Sequence, residues 1–134
     1  MWLMVMLALL QTPSPLRTVG KGPMSGIQAA RQVVVRSAGE WVALWKEHAL
    51  SGQELPPVDF DREMVVGVFL GPKPTAGYSV EIVRAVAAQG GLVVQYVERR
   101  PGRDAITAQI VTAPYHLVAL PPGSRDVRFE KVEQ

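Results

Sequence analysis

A nearly continuous apolar run, residues 64–70, constrains the fold of this chain more than any other part of its sequence. The run reads Met-Val-Val-Gly-Val-Phe-Leu and has no polar residue at alternate positions. A strand that is half exposed would show such an alternation, whereas a central strand with two buried faces does not. The run therefore predicts a strand in the middle of a sheet, with other parts of the protein packed on both of its faces.

Six further segments have the composition of strands and are separated by turn residues. Gln32–Arg36 is rich in β-branched residues and is predicted to be the first strand. Residues 78–87 and 92–99 flank Gln89-Gly90-Gly91, which is typical of a hairpin. The remaining predicted strands are Ile106–Thr112, Tyr115–Leu120 and Val127–Val132.

One segment has the pattern of a helix. Ser37 and Glu40 have the spacing of a capping box, in which a hydroxyl and a carboxylate satisfy the first free N–H groups of a helix. The helix is expected to end near Leu50. Its apolar face is predicted to consist of Trp41, Leu44, Trp45 and His48. We interpret the two indoles as core residues, and ligand contact is the alternative.

Together these elements predict a mainly β fold with one helix. About seven strands and a single helix favour a β-sandwich or a partly open barrel, with the helix packed at one end. The chain has 134 residues, which fits one domain.

The N-terminus contains an apolar run, Trp2–Leu10, directly after the first residue. The run is too short for a membrane span, which needs about 20 residues, and has the length of the apolar core of a secretory signal peptide. We therefore interpret residues 1–20 as a signal peptide or N-terminal anchor plus linker, and residues 25–134 as the β-rich domain, with no membrane span. Residues 11–24, which contain proline and glycine, are read as linker. The expected location is periplasmic, cell-surface or secreted; the alternatives are a buried N-terminal strand and a wrongly chosen start codon.

Charge and cysteine content exclude several classes of function. The chain has 14 basic and 12 acidic side chains, and the basic ones are dispersed, so the continuous basic stripe of a nucleic-acid-binding protein is missing. Arg99, Arg100 and Arg103 flank a Pro-Gly turn and are read as solvated. The absence of cysteine excludes a thiol nucleophile, a disulfide scaffold and a cysteine zinc site.

No catalytic, metal or cofactor site is evident from residue spacing. Neither His48 nor His116 has a His or carboxylate neighbour at metal-ligand spacing. No serine lies in the Gly-x-Ser-x-Gly setting of a nucleophile elbow. The Gly71–Ser79 segment resembles a phosphate loop only superficially, because Tyr78 stands where the phosphate-binding lysine is required. We therefore expect a protein without enzymatic activity and without a cofactor.

Two loops have the composition of a protein-contact surface. They are Gly71–Tyr78 and Thr112–His116. Prolines stiffen the first of them, and tyrosines contribute contact area with little loss of side-chain entropy. The alternative is that both tyrosines pack on the core. The predicted partner-binding residues are Lys73, Pro74, Thr75, Ala76, Gly77, Tyr78, Tyr115 and His116.

Four segments, two of which overlap these loops, occur in the order typical of a known family. They are Glu40–Trp45, Pro57–Phe60, Pro74–Val80 and Thr112–Val118. The ordered set resembles the PrcB C-terminal domain family, which is named after an exported subunit of a bacterial surface protease complex. The resemblance implies an exported, non-catalytic domain that associates with other proteins, with a secreted protease as the expected partner.

A second resemblance covers one loop. Pro74–Tyr78 is similar to the Asn-Pro-Thr-Thr-Gly-Tyr loop of chagasin-like cysteine-protease inhibitors, which are Ig-like β-sandwiches. Lys73 replaces the asparagine of that loop, and Ala76 replaces its second threonine. This resemblance implies an alternative function, in which residues 73–78 enter the active-site cleft of a protease and inhibit it.

Overall fold

The computed structural model describes residues 13–123 and 126–133. Within these ranges the chain has seven strands and one helix, which confirms the predicted mainly β fold. No helix in these ranges has the length and apolarity that crossing a membrane requires. The strands are β1 (Arg17–Gly22), β2 (Arg31–Val35), β3 (Met64–Phe69), β4 (Ser79–Ala88), β5 (Gly91–Arg99), β6 (Tyr115–Leu120) and β7 (Val127–Lys131), and the helix is α1 (Ala38–His48).

The strands form two sheets that pack face to face. The first sheet has the order β1-β6-β3-β2 and is antiparallel throughout. The second has the order β4-β5-β7, in which β4 and β5 form the predicted hairpin and β7 runs parallel to β5. The helix covers the outer face of the first sheet, so the molecule is a β-sandwich with one helix.

The central strand β3 explains this layering, because all six of its residues are buried. Val66 and Val68 point towards the second sheet and pack in one core with Val94 of β5. Val65 and Phe69 point the other way and pack beneath α1. The apolar run thus has a packing partner on each face, as the sequence predicts.

The helix begins as predicted and ends two residues early. The N–H of Glu40 donates to the hydroxyl of Ser37 at 3.2 Å, and the N–H of Arg36 donates to the carboxylate of Glu40 at 2.9 Å. The last helical residue is His48, since Ala49 already has an extended backbone. Trp41 is 2% exposed, which confirms it as a core residue, whereas Trp45 is half-buried.

Gly26 holds the C-terminal end of α1 against the connection between β1 and β2. Its N–H donates to the carbonyl of His48 at 2.7 Å and so satisfies one of the free carbonyls at the helix end. A Cβ atom at this position would lie 2.6 Å from the carbonyl oxygen of Glu47 and 3.0 Å from that of His48. Both neighbours are backbone atoms, which cannot rotate away.

We expect Gly26→Val to lower the free energy of unfolding by about 1–3 kcal/mol, because the added side chain forces the end of α1 away from the connection between β1 and β2. Gly39→Ala is the matched control. A Cβ at Gly39 meets no atom within 4 Å, so this change is expected to stabilise the protein by about 0.5–1 kcal/mol through helix propensity. Urea unfolding of both variants measures the difference. Equal effects of the two substitutions would show that the Gly26 contact does not hold the helix.

The predicted strand Ile106–Thr112 is wrong. Residues 105–111 have no regular secondary structure, and only Thr112 forms an isolated bridge, with Lys73. The segment has β-branched side chains but lies outside both sheets, so its strand propensity is not matched by a strand partner within the described ranges.

The predicted linker is wrong for residues 17–22, which form β1. This strand pairs with β6 from Arg17 opposite Ala119 to Gly22 opposite Tyr115. The ring of Tyr115 lies against Gly20, where an added Cβ would be 3.3 Å from its Cε2 atom. The glycines that indicated a linker therefore make room for an aromatic ring across the edge of the sheet. The apolar run Trp2–Leu10 lies outside the described residues, and its interpretation as a signal peptide or anchor stays a prediction.

Candidate partner-contact site

Two loops at one end of the sandwich are joined to each other, and we call them the paired loops: residues 71–78 and 101–113. The N–H of Lys73 donates to the carbonyl of Thr112 at 2.7 Å, and the N–H of Thr112 donates back at 2.9 Å. The hydroxyl of Thr112 donates to the carbonyl of Thr75 at 2.9 Å. The N–H of Ala76 donates to the carbonyl of Ala108 at 3.0 Å. Four hydrogen bonds thus fix the first loop on the second.

Two glycines bring the first loop into this position. Gly71 and Gly77 have φ values of 76° and 96°, which residues other than glycine rarely adopt. A Cβ at Gly77 would also lie 2.8 Å from Cβ of Pro101 in the second loop. The glycines therefore allow both the sharp turns and the close approach of the two backbones.

Lys73 is bound to the second sheet and is not a free cation. Its Nζ atom lies 3.2 Å from the carboxylate of Glu98 on β5, and Lys131 on β7 lies 3.3 Å from the other oxygen. Burial acts to raise the pKa of Glu98, but the hydrogen bonds from the two lysines outweigh it and lower that pKa overall. The Nζ atom also lies 5.7 Å from the ring centroid of Tyr78, within reach of a cation–π contact.

The first loop presents backbone and proline to solvent. Pro72, Pro74 and Gly77 are exposed, whereas Lys73, Thr75, Ala76 and Tyr78 are half-buried. Beside the loop lies an open groove of about 390 Å³ whose lining includes Gln32, Lys73, Tyr96 and Glu98. Such a groove has polar groups for hydrogen bonding and room for a side chain of another molecule.

Tyr115 is placed in the core and is not brought to the surface of the paired loops. Its side chain is 8% exposed, and its ring centroid lies 4.2 Å from that of His48, beneath α1. Burial raises the pKa of its phenol. The structure thus agrees with the alternative interpretation of this tyrosine as a core residue.

His116 is buried between the two sheets. Its side chain is 3% exposed, and its Nδ1 atom accepts the N–H of Ile82 on β4 at 2.8 Å. Its Nε2 atom therefore carries the hydrogen and donates to the hydroxyl of Thr18 on β1 at 2.9 Å. Burial lowers the pKa of His116 to about 4, with the charge of Lys21 acting in the same direction and that of Glu81 opposing it. This histidine joins three strands and is not available to a partner.

A buried pair of side chains, Ser25 and His48, has no signature in the sequence. The hydroxyl of Ser25 lies 2.8 Å from Nδ1 of His48 and accepts the N–H of Ile27 at 3.0 Å. Burial lowers the pKa of His48. Within the described ranges, Nε2 of His48 has no hydrogen-bond partner. Ser25 is 2% exposed and His48 is 0% exposed. A substrate cannot reach this pair, which attaches the end of α1 to the connection between β1 and β2.

The second loop exposes three apolar side chains that were predicted to lie in a strand. Ile106, Ile110 and Val111 are 102%, 55% and 60% exposed. Their β-branched pattern was visible in the sequence, but burial depends on neighbours that the pattern does not specify. In the part of the chain that the structure describes, no group of three or more His, Asp or Glu side chains is arranged to hold a metal ion.

The comparisons with known proteins bear on this same region. A family model described as PrcB C-terminal matches residues 64–121, from the first residue of β3 to the residue after β6, and includes both paired loops. The match confirms the resemblance predicted from the sequence. No curated protein and no solved structure matches the chain.

Proposed function

We propose that this chain, whose residues 64–121 belong to the PrcB C-terminal family, is an exported, non-enzymatic protein-interaction domain that serves as an accessory to a secreted protease. The family supports an accessory role, and the apolar run Trp2–Leu10 supports export. The absence of an accessible nucleophile at Ser25 and His48 supports a non-enzymatic role for this pair.

The observation that carries the proposal is the fixed conformation of residues 73–78. The loop is held by hydrogen bonds to the second loop and by the ion pair between Lys73 and Glu98. A surface that is already ordered loses little conformational entropy when it binds, so more of the contact energy appears as affinity. Pro72 and Pro74 stiffen the exposed part of the loop further.

We expect Pro74→Arg to abolish capture of the partner while leaving the fold intact. Proline has no N–H to lose, and Pro74 is exposed, so the substitution adds bulk and charge to the contact surface without removing a core contact. The measurement immobilises the full chain, exposes it to the secreted proteins of its own organism, and identifies what is retained by mass spectrometry. We expect a protease to be retained by the unaltered chain and at least about tenfold less by the variant.

Pro122→Arg is the matched control for this experiment. Pro122 is also exposed but follows the end of β6 that lies away from the paired loops. It should retain the protease as the unaltered chain does, and both variants should melt at the same temperature. Retention of a protease by Pro74→Arg, or retention of no protease by any form, would contradict the proposal.

A second candidate function is inhibition of the protease, with residues 73–78 in its active-site cleft. The exposed Pro74 at the middle of a fixed loop favours this candidate, because an inhibitory loop must resist rearrangement in the cleft. The two functions predict different activities for the captured protease. An accessory domain leaves papain-type and subtilisin-type activity unchanged or raises it, whereas an inhibitor lowers it in proportion to the amount of bound domain.

A further inference from the structure

The segment Ile106–Val111 of the second loop has the side chains of a strand but no strand partner among the described residues. Ile106, Ile110 and Val111 are more than half exposed, although isoleucine and valine are among the residues most often buried in folded proteins. Three such side chains close together in one exposed segment mark a candidate interaction surface.

Most of the backbone of this segment is also unpaired within the described ranges. Among the described residues, no backbone hydrogen bond involves the N–H or carbonyl of Ile106, Thr107, Gln109, Ile110 or Val111. The segment touches the first loop through the carbonyl of Ala108 and is bounded by the bridge at Thr112. Although the segment is not itself an edge strand, its largely free N–H and carbonyl groups can pair with an extended chain as those of an edge strand do.

The segment has a positively charged end. Arg100 and Arg103 are both exposed, and no ion pair in the described part of the chain involves either of them. Arg99 differs, because its guanidinium lies 2.9 Å from the carboxylate of Glu81. Asp104 is the one acid between Arg100 and the apolar residues, so this end carries a net positive charge. It is complementary to an acidic group on a partner.

We propose that residues 106–111 bind an extended segment of a partner protein as an added β-strand, with apolar side chains at alternate positions of that segment and an acidic residue at the end that meets Arg100 and Arg103. Main-chain hydrogen bonds supply affinity in this mode of recognition, and side-chain contacts supply specificity. The proposal rests on the proposed function and names the chemistry of the partner.

A second copy of this chain fits the surface less well. Two copies paired antiparallel through this segment would place the positively charged end of each beside Val111 and Thr112 of the other, neither of which is acidic. Three exposed side chains also form a patch smaller than the roughly 800 Å² per partner that a standard stable interface buries. A partner that also contacts the first loop can cover a larger area.

The test selects random dodecapeptides displayed on phage for binding to the immobilised full chain. We expect the enriched peptides to alternate β-branched or aromatic residues with polar ones and to carry Asp or Glu at one end. Synthetic copies of the enriched peptides are then measured by fluorescence anisotropy. Their N-methylated forms, whose methylated amides can no longer donate main-chain hydrogen bonds, should bind at least about tenfold more weakly.

Variants of the chain locate the bound peptide. Ile110→Lys is expected to weaken binding at least about tenfold, whereas Leu55→Lys, the same kind of change at another exposed apolar residue, should have no effect. Arg100→Glu combined with Arg103→Glu should weaken binding and remove its dependence on salt. Hydrogen exchange of residues 106–111 should be fast in the free protein and slowed by the peptide.

Three results would overturn the inference. They are failure to enrich any peptide, enriched peptides that bind Ile110→Lys normally, and self-association of the chain that Ile110→Lys abolishes. Loss of peptide binding by Ile110→Lys with retention by Pro74→Arg would support the strand site independently of the first loop. Failure of the peptide experiment with successful capture of a protease would overturn this inference alone and leave the proposed function standing.

Discussion

Replacing Trp41 by alanine is expected to lower the free energy of unfolding by about 3–5 kcal/mol, the usual cost of removing a large buried aromatic side chain. Trp41 is 2% exposed and packs with Leu44 of α1 and with Val65 and Phe69 of β3. Its indole N–H also donates to the carbonyl of Pro56 at 3.0 Å. The alanine variant would leave a cavity between helix and sheet and an unpaired carbonyl in the connection after the helix.

Trp45→Ala is the control, because the sequence places both indoles on the same helix face. Trp45 is half-buried, and its N–H reaches the carbonyl of Gln53 only at 3.5 Å, the long limit for a hydrogen bond. We expect Trp45→Ala to lower the free energy of unfolding by about 1–2 kcal/mol, as measured by urea unfolding of both variants. Equal losses for the two variants, or a loss below about 1 kcal/mol for Trp41→Ala, would show that Trp41 does not anchor the helix.

Acidification is expected to destabilise the protein through His116. The folded chain takes up a proton on this imidazole only near its lowered pKa of about 4, whereas the unfolded chain does so near 6.5. Between these values the unfolded state binds more protons. The free energy of unfolding is therefore unaffected by this group well above pH 6.5 and decreases as the pH falls to about 4. The loss from this group is about 2 kcal/mol at pH 5 and about 3 kcal/mol at pH 4. Protonation of Nδ1 also breaks its hydrogen bond from Ile82.

His116→Asn tests this prediction, since asparagine keeps an acceptor near the position of Nδ1 and does not titrate. The variant is expected to be less stable at neutral pH, because it loses the bond to Thr18, but its stability should fall less steeply between pH 6.5 and pH 5. His48 has a lowered pKa and contributes in the same direction to both proteins, so the difference between their slopes belongs to His116. Glu63, Glu81 and Glu98, whose pKa values are lowered from 4.5, act mainly below this window. Parallel stability curves for the two proteins would contradict the assignment.

Elements with local signals in the sequence were predictable. The capping box at Ser37 and Glu40 determines where α1 begins, and its interacting residues are at most four positions apart in the chain. The apolar run at β3 needs only its own composition to indicate burial on both faces. The break at Gln89-Gly90 specifies the hairpin of β4 and β5, where both residues have positive φ. In each case the deciding contact lies close by in the chain.

Elements decided by distant contacts were not predictable. Arg17–Gly22 has little strand propensity. It becomes a strand because it pairs with β6 and because its glycines leave room for the ring of Tyr115. The segment 106–111 shows the opposite case, since its strand propensity is high and none of the seven described strands pairs with it. Within the candidate site, the sequence indicates the stiffness of residues 73–78, but it does not indicate that Tyr115 and His116 face inwards on opposite sides of β6.

The pairing of β1 with β6 has a consequence for the order in which the chain folds. β1 is the first described strand and β6 the last but one, so the first sheet closes only after most of the chain has emerged from the ribosome. The hairpin of β4 and β5 closes a short loop, so we expect it to form before β1 pairs with its partner at the far end of the sequence. Domains dominated by such long-range pairings fold slowly. We therefore expect the N-terminal strand to stay unpaired during synthesis. A chain whose first sheet has not yet formed is still extended enough to pass through a narrow channel.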